Sequence, residues 1–153
     1  MIQSVQEIPL TLTNNTSAIT FTNDTIRTRS ACQNNCNGWL CHNEGNPLYQ
    51  LVQGGYYEVN FNSNVSSATA GSVALGLYQN GVLIPGTTVS TEITTVGVPE
   101  NVSFSKTIQV CCRADADITV ASVPSIPNLS TNVAIETETP IVQSANLTIK
   151  KLS

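Results

Sequence analysis

Charge is scarce in this chain. Only 10% of its 153 residues are Asp, Glu, Lys or Arg, and Lys plus Arg number six. Binding to a phosphate backbone rests on many cationic contacts. Arg27, Arg29, Arg113 and the Lys150–Lys151 pair are too few and too scattered to supply them, so nucleic acid is excluded as a partner. Long apolar runs are absent too. No stretch approaches the roughly 18 apolar residues that a membrane helix requires. Residues 1–7 have neither a basic start nor an apolar run, so no secretory leader is expected there. There is no helical period, heptad, collagen repeat, internal repeat or low-complexity tail. A single His leaves little material for general-base chemistry.

What remains is enough for one domain with a core of its own. The polar residues are mostly Thr, Ser, Asn and Gln, a neutral surface suited to work outside cells or inside a large assembly. After Gly55 the chain alternates strictly. Tyr57, Val59 and Phe61 fall on one face, and Glu58 and Asn60 on the other. A period of two predicts a half-buried strand.

Further strands are predicted at residues 18–21, 25–28, 48–52, 73–78, 82–84, 87–96, 102–110, 117–123, 132–136 and 145–149. Residues 5–13 alternate around Pro9, which predicts an edge strand at best. Asn80-Gly81 between two apolar runs predicts a tight hairpin, because both residues tolerate positive φ. Residues 30–47, with three Cys, predict an irregular loop. Many short strands without helices predict an all-β antiparallel sandwich, jelly roll or barrel.

Gly55-x-Tyr57-x-Val59-x-Phe61 resembles the Gly-x-Tyr-x-Phe-x-Phe strand of the complement-type, tumour-necrosis-factor-like jelly roll. Val73-Ala74-Leu75-x-Leu77-Tyr78-x-Asn80-Gly81 resembles the next hairpin of its bacterial and phage members, and residues 145–152 resemble their closing strand. The likeness spans about residues 48–152. It implies a ten-stranded antiparallel jelly-roll sandwich assembled as a homotrimer, with Tyr56, Tyr57 and Phe61 as interface candidates. It also implies a decoration or head fibre on a virion, a phage capsid above all, with a capsid or other carrier protein as partner. The collagen stalk of the spore-surface type is missing, which favours a compact decoration. Residues 1–29, least covered by the likeness, are expected to be an attachment arm of edge strands, with residues 30–153 as the jelly roll.

The chemistry-bearing residues are few. Cys32, Cys36, Cys41, Cys111 and Cys112 make an odd count that cannot pair completely within one chain. Three fates stand open: disulfides, free thiols in a reducing compartment, or a structural zinc held by Cys32, Cys36, Cys41 and His42. Cys41 beside His42 is a poor nucleophile–base pair, since adjacent residues seldom meet in line and no third orienting group follows. Asp115 and Asp117, with Glu100, are candidates for acid–base work or calcium, but they lack the oxygen count calcium takes. These three, with Glu136 and Glu138, read better as solvated or turn residues. Trp39 in the Cys-rich loop is the candidate recognition aromatic, against the plainer expectation that it packs that loop onto the shell. The Asn-x-Ser/Thr triplets at Asn23 and Asn101 are expected by chance in such a composition.

No cofactor and no catalysis are expected, because nucleophile, base and orienter never come together. The expected function is a structural surface protein of a virion. The alternative is a module that binds glycans or a receptor on a virion, spore or cell surface.

Overall fold

A computed structural model describes residues 1–13, 17–28, 31–32 (backbone only), 38–111, 115–128 and 130–153. Among them there are fifteen strands and no helix. In chain order they are β1 (Ile2–Gln6), β2 (Leu10–Thr11), β3 (Asn23–Arg27), β4 (Ala31–Cys32), β5 (Leu40–Cys41), β6 (Tyr49–Leu51), β7 (Gly55–Ser66) and β8 (Gly71–Gln79). There follow β9 (Val82–Leu83), β10 (Val89–Ile93), β11 (Glu100–Val110), β12 (Ala116–Ser122), β13 (Ser125–Ile126), β14 (Ile135–Glu136) and β15 (Ile141–Lys151).

Two sheets enclose one core. The first runs β11–β7–β15–β1–β3, with β2 added against β15; the second runs β10–β8–β12–β6–β5–β4, with β9 added against β8. Apart from the short parallel β4–β5 pair, every described ladder in the two sheets is antiparallel. The expected all-β jelly-roll sandwich is therefore the observed fold.

The period of two carries the first sheet. Tyr57, Val59, Phe61 and Val65 point inward from β7 and are buried. Phe61 is in register with Phe104 on one side and Leu147 on the other, and the two Phe rings stack at 5.1 Å. Each such side chain removed from water contributes about 1.5–3 kcal/mol. Ser63 interrupts the apolar series, yet its hydroxyl donates to the Ser144 carbonyl at 2.8 Å, so the buried group is satisfied. Val73, Leu75 and Leu77 of β8 and Ile118 and Val120 of β12 answer from the second sheet.

Local chemistry sets the ends. Gly55 adopts φ 150°, and a Cβ there would lie 2.1 Å from the Ser153 carbonyl oxygen. Glycine alone lets the last residue close over the start of β7. Asn80 (φ 52°) and Gly81 (φ 76°) make the expected two-residue turn between β8 and β9. Lys106 stands half-buried on the otherwise apolar inner face of β11, an edge strand. An inward charge at an edge discourages a further strand from docking.

Several expectations are corrected. Residues 1–29 do not supply edge strands alone: β3 is at the edge of the first sheet, but β1 is not. β1 ends before Pro9 and lies inside the sheet, with Ile2 opposite Ile149 on one side and Arg27 on the other. Proline limits the length of β1, while burial of Ile2, Ser4 and Gln6 decides its place. Leu12, Ile19 and Phe21 also join the core. The boundary between residues 29 and 30 lies outside the described residues. Residues 18–21 form no strand, only a bridge between Ala18 and Ala121. The strand expected at 132–136 shrinks to the two residues of β14.

Candidate functional site

The alternation that buries Phe61 also builds the opposite face. From β7 the outward residues are Tyr56, Glu58, Asn60, Asn62 and Asn64. Their partners on β15 include Lys150, Thr148, Asn146 and Ser144, and those on β11 are Gln109, Thr107, Ser105, Ser103 and Asn101. Glu58 and Lys150 sit directly opposite one another. The rest of the face over these three strands is amide and hydroxyl, and β1 and β3 extend it with Gln3, Val5 and the exposed Ile26.

Its side chains bind each other across strands. The Asn101 amide donates to Asn64 Oδ1 at 3.0 Å and to Asn62 Oδ1 at 3.3 Å, and Asn64 donates to Ser144 Oγ at 3.1 Å. At one end two apolar groups stand in solvent, Tyr56 at 48% exposure and Leu152 at 49%. The Leu152 N–H donates to the Tyr56 carbonyl at 2.8 Å, which holds them at the same end of the sheet.

A second concentration of polar groups lies where β1 and β3 meet the loop between β5 and β6. Asp24 is only 3% exposed in its side chain and accepts short hydrogen bonds from Ser4 Oγ and Arg27 Nη2. Arg27 Nη2 also donates to the His42 carbonyl at 3.1 Å. The His42 ring is fully buried. Its Nδ1 lies 2.9 Å from the Leu48 carbonyl and its Nε2 3.5 Å from Asp24 Oδ1, an ion-pair distance rather than a hydrogen bond. Tyr49 stacks on this ring at 3.8 Å with the planes 10° apart.

Burial alone would raise the Asp24 carboxyl. The His42 ring, the Ser4 hydroxyl and the Arg27 guanidinium outweigh it and hold the group below the usual aspartate value. Burial, with the Asp24 charge adding to it, pushes the Tyr49 phenol far up, so it stays neutral. Ser4 neighbours that phenol but spends its proton on Asp24, and the Tyr49 hydroxyl is left without a hydrogen bond.

The candidates named from the sequence are dispersed. Trp39 is not an exposed recognition aromatic: it is 6% exposed and packs on Tyr57 with ring centroids 5.5 Å apart. Tyr57 and Phe61 face the core at 0% and 2% exposure, so of the three interface candidates only Tyr56 is free to meet another chain. The strand alternation places odd-numbered residues of β7 inside, which explains all three outcomes.

Cys41 is disulfide-bonded and offers no thiolate to zinc or to His42, while Cys111 is a free, exposed thiol. Cys36, Cys112 and the side chain of Cys32 lie outside the described residues. Among the described residues no group of three His, Cys, Asp or Glu side chains is placed to hold a metal. Glu100 opens β11 whereas Asp115 and Asp117 follow its far end, a strand length of roughly 30 Å at about 3.3 Å per residue. Asp117 is tied through its N–H to Asn80 Oδ1 at 2.8 Å, Glu138 accepts from Thr69, and Glu136 is exposed on β14.

The buried cluster escaped the sequence reading. Its one local signal is Asp24 and Arg27 three apart in a charge-poor chain that also holds a lone His.

The fold has a counterpart among solved structures. The globular domain of a zebrafish complement 1qA protein matches over 99% of this chain and 96% of its own, with TM-score 0.59 and 10% identity. Two family 35 carbohydrate-binding modules also align. One from Clostridium thermocellum has TM-score 0.35 and 11% identity, covering 96% of this chain and 95% of its own. One from Cellvibrio japonicus Abf62 has TM-score 0.30 and 12% identity, covering 94% and 96%. No family model matches the sequence, and no curated protein matches it. The chain thus shares the complement-type, tumour-necrosis-factor-like jelly roll as a fold.

Proposed function

We propose that this chain is a non-catalytic module that assembles with copies of itself, as a homotrimer, through the outer face of the β11–β7–β15–β1–β3 sheet. The observation that carries this is the face itself. It is broad, charge-balanced and lined by groups that both donate and accept, and it ends in exposed Tyr56 and Leu152. The net charge of −4 repels copies in general, and a balanced face is where they approach most easily. Amides and hydroxyls pair with their own kind, and the two apolar groups add burial.

The setting we propose is a virion surface, as a decoration or head fibre on a capsid protein. It is supported by the resemblance of residues 73–81 to the hairpin of bacterial and phage members and by the neutral polar composition. The edge strand β3, rather than a detached arm, is the proposed route to the carrier.

Light scattering tests the assembly. A mass three times the 16.3 kDa chain is expected, and Asn62→Lys, which puts a charge into the face, is expected to reduce it to one chain. A monomer in the unaltered protein would remove the trimer.

A second reading rests on Tyr56. It is the exposed aromatic beside the amide rows, an arrangement that stacks on and hydrogen-bonds a sugar ring. Glycan binding would then occupy the same face, and a glycan array lost on Tyr56→Ala, with the mass of one chain throughout, would favour it over assembly.

A further inference from the structure

We propose that the turn Thr95–Val98, with the carboxylates around it, is a docking knob for a partner protein that presents an apolar seat rimmed by Lys or Arg. It lies at the strand ends, off the outer face and the β3 edge, so this inference goes beyond the assembly and carrier readings.

The turn is built to hold its shape. Residues 94–99 carry the chain from β10 to β11, and all of them are exposed. The Val98 N–H donates to the Thr95 carbonyl at 3.1 Å. Gly97 has φ 78°, whereas Val96 is not among the residues with positive φ. That combination is a type II turn, which takes glycine at its third position and leaves the second at the corner. The Gly97 N–H donates in addition to the Ser67 carbonyl at 3.3 Å, so the turn is pinned to the β7–β8 connection. Held in this way, Val96 and Val98 stand 55% and 47% exposed. Turn positions ordinarily take Gly, Asn, Asp, Ser or Pro. Two β-branched aliphatics in solvent add nothing to the core, and a pre-formed knob loses little freedom on binding.

The surroundings carry one sign. Beyond Ser67, the Thr69 hydroxyl donates to the Glu138 carboxylate, and the Glu138 N–H donates to the Ser72 carbonyl at 2.7 Å. Exposed Ile135 and Glu136 precede Glu138 by a few residues. Glu92 lies on β10 before the turn, and Glu100 opens β11 after it. No Lys or Arg occurs in residues 67–72, 89–100 or 124–142. On β11 the first cation is Lys106, roughly 20 Å from Glu100 at about 3.3 Å per residue, and it stands on the inner face. Arg27, Lys150 and Lys151 belong to the opposite end of the strands, in line with Ile2, Glu58 and Tyr57.

That sign selects the occupant. Two copies meeting through this end would set Glu100 and Glu136 against their own kind, and an anionic lipid meets the same repulsion. A protein with Lys or Arg around an apolar recess gains both burial and charge pairing.

Amide NMR of the full chain, titrated with a synthetic peptide of alternating Lys and Leu, tests the surface. Shifts are expected at residues 67–70, 94–100 and 135–138, and none at Asn60 or Asn62. Val96→Ser with Val98→Ser is expected to weaken binding about tenfold, as is Glu100→Gln with Glu136→Gln. All four residues are exposed, so an unchanged denaturant midpoint is expected in both variants. An all-Lys peptide of the same length is expected to bind about tenfold more weakly than the Lys-Leu peptide. Shifts that miss this end, equal binding of the all-Lys peptide, or full affinity in the valine variant overturns the proposal. So does binding to phosphatidylcholine vesicles, or self-association, that is lost in the valine variant, since the knob would then serve a lipid or a second copy.

Discussion

Strands β7, β11 and β15 run for 12, 11 and 11 residues, while β4, β5 and β6 have two, two and three. The long strands are held by continuous ladders and by alternate apolar side chains, every one repeating the same instruction. The short ones meet β1 and β3 through a few specific groups: Asp24, Arg27, His42 and Tyr49, with Cys41 in a disulfide beside them. Redundant burial tolerates the loss of any one polar contact. A buried charge cluster does not, because removing one member strands the others without water or partner.

The largest expected effect breaks the long-strand half. Phe61→Ala empties the space against Phe104 and is expected to cost about 4 kcal/mol in denaturant unfolding, with both regions melting together. Asp24→Ala breaks the other half. It takes away the carboxylate that Arg27 and His42 share and is expected to cost about 3 kcal/mol, with hydrogen exchange rising first in the β5–β6 loop.

Acid sharpens the same contrast. The Asp24 carboxyl is held below its ordinary value, so its contribution is complete above about pH 4 and is lost as pH falls through the lowered value. Denaturant midpoints taken between pH 6 and pH 2 are expected to drop less in Asp24→Asn than in the unaltered chain. Gly55→Ala strikes the point where the C-terminus closes over β7, and about 2 kcal/mol is expected from the strained φ and the clash with Ser153. The smallest effect is on the outer face. Asn62→Ala is expected to change the stability of the single chain by no more than about 0.5 kcal/mol by the same unfolding measurement.

The difference between the regions is also the difference in what could be read in advance. Wherever a strand is half-buried and long, its period of two is written in neighbouring residues, and β7, β8 and β11 were legible for that reason. Asn80-Gly81 was legible because positive φ at two successive residues selects those side chains. β1 was not. Its pattern over Ile2, Ser4 and Gln6 mixes apolar and polar groups, and Pro9 nearby suggests an edge. Only the pairing of β1 with both β15 and β3 reveals an interior strand. Trp39 was open for a similar reason, since a loop aromatic is exposed or buried according to what lies above it, here Tyr57.

By itself the sequence determined the fold class, the core-facing residues of the long strands, the tight hairpin and the absence of a phosphate-binding charge pattern. These follow from short-range periodicity and from composition, which do not depend on distant partners. The tertiary structure decided that residues 2–27 belong to the sandwich, that Tyr56 faces out while Tyr57 faces in, and that Ser4, Asp24, His42 and Tyr49 share one buried site. Those residues come from β1, β3, the loop after β5 and β6. Charge pairing across such separations has no local signature, because it exists only once two sheets have closed on each other.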